Sequence, residues 1–306
     1  MNVLGPKIRH HVARKFFSIT LIASLGFTTV FAGNTDLVIQ AETRNNGVSQ
    51  NLEKVTKQAV QIKSNYSGNE LADSVEDGVM LHAWNWSFEQ IKNEIPEIAE
   101  AGFSAVQTSP IQPNKDGSNV ANTGDWWKFY QPVDFTIGNK LGSEEQFKEM
   151  CEEAHKYGVK IVVDVVVQHL ANVSGDGGNA KSNRSPQIPS YIRDNDAFWH
   201  NDNFPGSSDA DRYQMTHGPV GMPDLNTSNE QLQDIIMNFF TNAQKAGADG
   251  FRFDTAKHIE TPTDNGFASQ FWPKVKNTTQ ANDPDVFLYG EILNTAGPGG
   301  YSDIQK

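Results

Sequence analysis

Gly250-Phe251-Arg252-Phe253-Asp254-Thr255-Ala256-Lys257-His258 is the densest run of chemistry-bearing residues in the chain, and its reading decides the fold. Its first half alternates apolar and charged side chains. Residues i and i+2 of a strand share a face, so Arg252 and Asp254 point one way while Phe251 and Phe253 point to a helix layer. A guanidinium beside a carboxyl favours the ionised form, which suits a nucleophile. A structural ion pair is the alternative, but a buried pair is a poor source of stability, so a functional reading is preferred.

Outward from this strand the same rhythm recurs. A helix is expected over about Asn229 to Ala246 before it, and a helix near Phe267 to Thr278 with a strand from Val286 to Glu291 after it. Val159 to Val167 is a nearly continuous β-branched run, as expected of a strand buried on both faces. A helix from Ser143 to Tyr157 precedes it, with Ser143 and Gln146 as a capping box and Gly158 as its stop. Ala105 to Ser109 and Val79 to Trp84 read as two further strands. Between them Phe88, Ile91, Ile95, Ile98 and Ala99 recur at helical spacing, and Gly102 ends that helix. Alternating strands and helices with buried strands imply a parallel sheet. Residues 170–222 break the rhythm. They are rich in Gly, Asn, Ser, Asp and Pro, and a structureless loop of that size is unlikely inside a compact domain. An inserted subdomain is expected.

Asp164, Asp254 and Glu291 fall at the C-terminal ends of three of these strands, where catalysis is assembled in a parallel β/α barrel. Glu291 follows Val286, Phe287, Leu288, Tyr289 and Gly290. An apolar setting of that kind suits a carboxyl that acts in its protonated form. Two carboxyls roughly 5 Å apart serve a retaining glycosidase through a covalent glycosyl-enzyme.

Composition sets the outer limits. A hydrophobic share of 37% over 306 residues supports one large or two ordinary domains. The net charge of -12 argues against a nucleic-acid partner, though not against a neutral sugar polymer. Cys151 is the single cysteine, so no intrachain disulfide or cysteine metal site is available. It completes an apolar helical face with Phe147, Met150 and Ala154 and reads as a buried thiol. Lys7, Arg9, Arg14 and Lys15 precede the apolar run from Phe16 to Phe31, and Val30-Phe31-Ala32 resembles a signal cleavage site. Export to the extracellular medium is expected, with no membrane association after cleavage. The domain reading is then 1–32 signal peptide, 33–77 polar linker or pro-region, 78–169 first part of a catalytic barrel, 170–222 inserted subdomain and 223–306 second part of the barrel.

These motifs together resemble the α-amylase family of glycoside hydrolases. Asp164-Val165-Val166-Val167-Gln168-His169 is similar to the family's third-strand motif. Gly250 to His258 matches the fourth and Tyr289-Gly290-Glu291 the fifth. Gly102 to Pro110 matches the second strand, and Met222-Pro223-Asp224-Leu225-Asn226 a short motif near the end of the inserted subdomain. The resemblance implies a (β/α)8 TIM barrel, here truncated after about the fifth strand, with the subdomain inserted after strand three. It implies a secreted, retaining endo-hydrolase of α-1,4-glucosidic bonds in starch-type glucans, expected as a monomer. Asp254 would be the nucleophile, Glu291 the general acid/base and Arg252 the residue that orients Asp254, with Asp164 paired to Arg252. His169, Lys257 and His258 would bond sugar hydroxyls. Tyr130, with Gln131 beside it, would stack on the sugar, and Trp84, Trp86, Trp126 and Trp127 would extend that platform. A structural calcium is implied at Asp224, Gln168 and the carbonyls of Gly247 and His258. The family has Asn where Gln168 stands, which weakens that expectation. The third acid, on a seventh strand, has no match in this sequence, so the chain is expected to be a fragment, inactive alone. A maltodextrin glucosidase, a glucanotransferase or a catalytically dead glucan-binding protein are the alternatives.

Overall fold

The computed structural model describes residues 71–115, 123–202 and 211–292, together with the backbone of a short antiparallel hairpin formed by Thr20–Ala23 and Gly26–Thr29. Apart from that hairpin, the expected export segment and most of the expected linker lie outside the described residues. Residues 1–71 with 96–102 cluster as one compact unit, and 72–95 with 103–306 as a second. Among the described residues, no helix is long and apolar enough to cross a membrane.

The second unit is built on a five-stranded sheet in the order β1 (Met80–Ala83), β2 (Ala105–Thr108), β3 (Lys160–Val165), β4 (Gly250–Phe253) and β5 (Phe287–Gly290). Every neighbouring pair is parallel. The register sets Asp164 of β3 opposite Arg252 of β4, and Arg252 opposite Tyr289 of β5. Strand order equals chain order, as the alternating pattern predicts. Ile161, Val162, Val163 and Val165 of β3 are all fully buried, as the β-branched run requires.

The helices between strands are α1 (Phe88–Glu100), α2 (Glu144–Lys156), α5 (Glu230–Lys245) and α6 (Phe271–Asn282). The expected capping box is present at α2. The Ser143 hydroxyl accepts from the Gln146 N–H, and the Gln146 side chain accepts from the Ser143 N–H. Gly158 follows with φ 73°, the left-handed turn that ends the helix. Asn229 caps α5 by accepting from the Leu232 N–H. The helix layer receives the aromatic face of β4, with Phe251 4.9 Å from Phe240 and Phe253 5.1 Å from Trp272 between ring centroids. Helix α6 starts at Phe271, four residues later than expected. Asp264 draws residues 261–269 into a turn, bonding the Thr261 N–H at 2.7 Å while the Ser269 N–H returns to the Thr261 carbonyl. Pro273 then falls in the first helical turn, where a missing N–H costs nothing.

The described residues of 170–222 fold as short helical turns. They include α3 (Ser190–Arg193) and α4 (Arg212–His217), with Ile188, Ile192, Phe198 and Trp199 buried among them. Isolated bridges, His169 with Asp224 and Trp199 with Leu225, tie this region to the ends of β3 and its continuation.

Candidate active site

The site grows from the C-terminal edge of the sheet. Arg252 is the penultimate inward residue of β4, and its guanidinium reaches three carboxyls. Nη1 is 2.7 Å from Asp164 Oδ1 and 3.0 Å from Asp254 Oδ1, and Nη2 is 2.7 Å from Glu291 Oε1. Only a planar fork with several fixed donors bridges groups on three strand ends in this way. The chain then turns sharply: Thr255 adopts φ 49°, and its N–H faces Glu291 Oε2 at 3.5 Å. Asn85, just past β1, is the other non-glycine residue with positive φ among the described residues, at 64°. Such conformations store strain and cluster at functional sites.

The electrostatics are more divided than the sequence suggests. Asp164 is fully buried, and burial raises its pKa to about 7 against the opposing pull of Arg252. Asp254 is also shifted upward, because burial outweighs the same guanidinium. Arg252 therefore favours the ionised form as expected, without winning outright. Glu291 departs further from expectation. Its setting is not apolar: the side chain is 27% exposed and faces the Arg252 guanidinium.

Tyr130 donates its hydroxyl to Asp164 Oδ2 at 2.8 Å. Burial, then the Asp164 charge, push that phenol far up in pKa, so it stays a donor. Its ring stacks on Trp84 at 5.9 Å, and Trp84 meets Trp126 at 5.4 Å. Trp84 and Trp126 remain exposed, forming an open aromatic shelf at the cleft. Gln131 is buried with an unpartnered Oε1.

His169 is placed otherwise than expected. It is buried, with Nδ1 bonded to Gln168 Oε1 at 2.6 Å and Nε2 to the Tyr130 carbonyl at 2.9 Å. Burial lowers its pKa to about 4, so the ring is neutral and donates its single N–H to one of these two oxygens. It supports Tyr130 from behind instead of presenting a nitrogen to a ligand. Lys257 and His258 are buried in the short turn after β4, with His258 Nδ1 on the Met215 carbonyl at 2.8 Å.

Of the expected calcium ligands, Gln168 and Asp224 meet side chain to side chain, while Gly247 lies elsewhere. Gly247 follows α5 ahead of β4, at the opposite end of the sheet from Asp224 and His258. Its φ is 108°, and a Cβ there would meet the Cys151 Cβ at 2.5 Å, so this glycine is required for helix-to-strand packing. Asp224 receives the Gln168 amide N–H at Oδ1 and His200 Nδ1 at Oδ2, the latter at 2.7 Å. Gln168 thus turns its nitrogen to Asp224 and its oxygen to His169. Calcium takes six to eight oxygens. With Asp224 engaged by two side-chain N–H donors and Gly247 elsewhere, these residues do not present such an oxygen set, so no step below runs through calcium.

The sequence reading missed several groups. Asn85, Thr108 and Thr255 carry buried side-chain polar atoms with no partner, and each lies at or just past a strand end. That position is the signal that identifies them. His200 and Glu260 were also missed. His200 bridges Asp224 and Glu260, with Nε2 3.0 Å from Glu260 Oε1. Burial alone would lower its pKa, but the two carboxylates hold it up at about 10.

The comparisons bear on the family and the fold. The family described as "Alpha amylase, catalytic domain" matches residues 87–298. The α-amylase of Clostridium acetobutylicum is 41% identical over 78% of this chain and 31% of its own length. That of Butyrivibrio fibrisolvens is 35% identical over 72% of this chain and 24% of its own. The chain therefore spans about a third or less of these relatives. Among solved structures, α-amylase I of Eisenia fetida superposes with a TM-score of 0.59 at 23% identity, covering 72% of this chain and 46% of that one. The α-amylase of Geobacillus thermoleovorans gives 0.57 at 20% identity, covering 72% and 48%. Those two show the same fold, a parallel β/α barrel, and the described residues of this chain form five of its parallel strands. The chain belongs to the α-amylase family.

Proposed function

We propose that this chain carries the nucleophile and the general acid/base of a secreted, retaining endo-hydrolase that cuts α-1,4-glucosidic bonds in starch-type glucans. The observation that carries the reading is the single guanidinium of Arg252 holding Asp164, Asp254 and Glu291 at three adjacent strand ends. The curated relatives are named α-amylases, and the aromatic shelf of Trp84, Trp126 and Tyr130 suits the apolar face of a pyranose.

The chemistry proceeds in two displacements. Glu291 gives its proton to the glycosidic oxygen as that bond breaks, while an Asp254 oxygen bonds the anomeric carbon. Glu291, now a carboxylate, takes a proton from water. The water oxygen displaces Asp254, and the sugar leaves with its original anomeric configuration. Arg252 fixes the orientation of both carboxyls throughout, and Tyr130 with Gln131 positions the ring. Export follows from the basic and apolar pattern of residues 1–32, and the enzyme acts as a monomer. Incubation of the full-length enzyme containing these residues with soluble starch, followed by proton NMR of the first products, tests this. Newly formed α-anomers and a rapid fall in viscosity are expected. β-Anomers, or release of glucose alone from chain ends, would overturn the retaining or the endo assignment respectively.

A further inference from the structure

The junction that does not suit calcium gathers a different donor set. His200 lies in the inserted region, His217 ends α4, and Glu260 follows the turn after β4. All three are buried. One ligand atom from each, two imidazole nitrogens and a carboxylate oxygen, lies within 4.8 Å of the other two. His200 Nε2 and Glu260 Oε1 are already 3.0 Å apart. Ligand atoms about 2.0–2.2 Å from a tetrahedral cation stand roughly 3.3 Å from one another, so His200 and Glu260 are already at ligand spacing and His217 must reorient to complete the set.

The outer contacts are those of metal-binding histidines. His200 Nδ1 is held by Asp224 Oδ2 at 2.7 Å. His217 Nδ1 is held by Thr216 Oγ1 at 2.9 Å. The Thr216 hydroxyl lies 3.1 and 3.2 Å from the carbonyls of Arg212 and Tyr213. Its one proton goes to those carbonyls, so toward His217 it accepts, and Nδ1 carries the hydrogen. The Nε2 lone pair of His217 is thereby free to coordinate. A carboxylate or hydroxyl on the far nitrogen is the arrangement that fixes tautomer and ring orientation in metal sites. Glu260 is braced in the same way by the Thr227 hydroxyl on Oε2.

We propose that His200, His217 and Glu260 form a structural site for a borderline divalent cation, with zinc the best match, that ties the inserted region to the turn after β4. Two imidazoles and one carboxylate suit zinc or cobalt and not calcium. Water completes the tetrahedron. The cation replaces the proton between His200 Nε2 and Glu260, and that proton is released to solvent. His217 now stacks between His200 and Tyr213, at 4.0 Å from each. Binding turns its Nε2 edge out of that stack toward the shared point.

The test uses the full chain stripped of metal and titrated with cobalt(II), then zinc. Cobalt should give the intense visible absorption of a four-coordinate nitrogen–oxygen site, and zinc should abolish it at one equivalent. Zinc should raise the melting temperature, and calcium at the same concentration should not. His217→Gln and Glu260→Gln should each weaken zinc binding roughly tenfold or more. His155→Gln, at the opposite end of the sheet, should leave it unchanged. Should the Gln variants fail to fold, the parent decides: no four-coordinate cobalt spectrum overturns the site. Stabilisation by calcium alone, or zinc affinity unchanged in both folded variants, overturns it as well. The starch assay does not enter these readouts, so failure here leaves the catalytic reading standing.

Discussion

Arg252 touches Asp164, Asp254 and Glu291 at once, and each acid depends on it in a different way. Arg252→Lys keeps the charge but loses the fork, since an ammonium is a point donor that cannot bridge three carboxyls. We expect kcat on starch to fall by roughly a hundredfold or more, as misplaced reacting groups cost about that much, with KM little changed. A loss confined to KM would show that Arg252 serves binding. Glu291→Gln removes proton donation to the leaving oxygen. Substrates whose leaving groups need no proton should be spared in the first step, and stopped-flow release of an activated phenol checks this. Equal losses on activated and natural substrates would contradict the acid role. Arg252, Asp254, Asp164 and Glu291 were legible because strand period and strand ends are local facts. The surroundings of Glu291 were not, because they depend on a guanidinium reaching across from the neighbouring strand. Gly247 differs: its place ahead of β4, at the end of the sheet away from the acids, was readable from the helix and strand bounds, and only its packing on Cys151 was not.

Helices and strands obey rules that the sequence displays plainly. The capping box at Ser143 and the left-handed Gly158 both bracket α2 as expected. Ser143→Ala should cost about 1 kcal/mol of stability, read from urea denaturation. A change under about 0.2 kcal/mol would mean that Gln146 and solvent satisfy the end unaided. At the other end of α2, His155 Nε2 lies 2.9 Å from Asp249 Oδ2, which also accepts the Ile161 N–H at the start of β3. The hydrogen bond to Asp249 raises the His155 pKa above 6.5. Its stabilising contribution is therefore full below pH 6.5 and lost as pH rises through the higher folded value. The ring is 41% exposed, so the effect is well under about 1 kcal/mol. His155→Gln should be less stable than the parent at acid pH and equal to it at alkaline pH; a gap that widens with pH would reverse the assignment. Where elements were less legible, tertiary contacts decided. The Asp264 turn delays α6, and the inserted region holds its shape through bridges to the end of β3 that no periodicity announces.

At the scale of the molecule, a parallel sheet in chain order sets its acids along one edge, so that residues 88 positions apart, Asp164 and Arg252, become partners. The net charge of -12 disfavours a polyanionic partner and leaves a neutral polymer unopposed. The central claim is that Asp254 bonds the sugar carbon. Asp254→Asn should lower turnover by several orders of magnitude while glucan binding survives, and a variant retaining more than about a tenth of the activity would exclude a covalent role. The most direct measurement is to trap the intermediate. The active enzyme is inactivated with a fluorinated α-glucosyl fluoride, whose second displacement is slow, then digested and sequenced by mass spectrometry. The account predicts one glycosyl group, on Asp254, and none on the Asp254→Asn protein. A label on Glu291 or any other residue, or steady turnover of the reagent with no trapped ester, would contradict it.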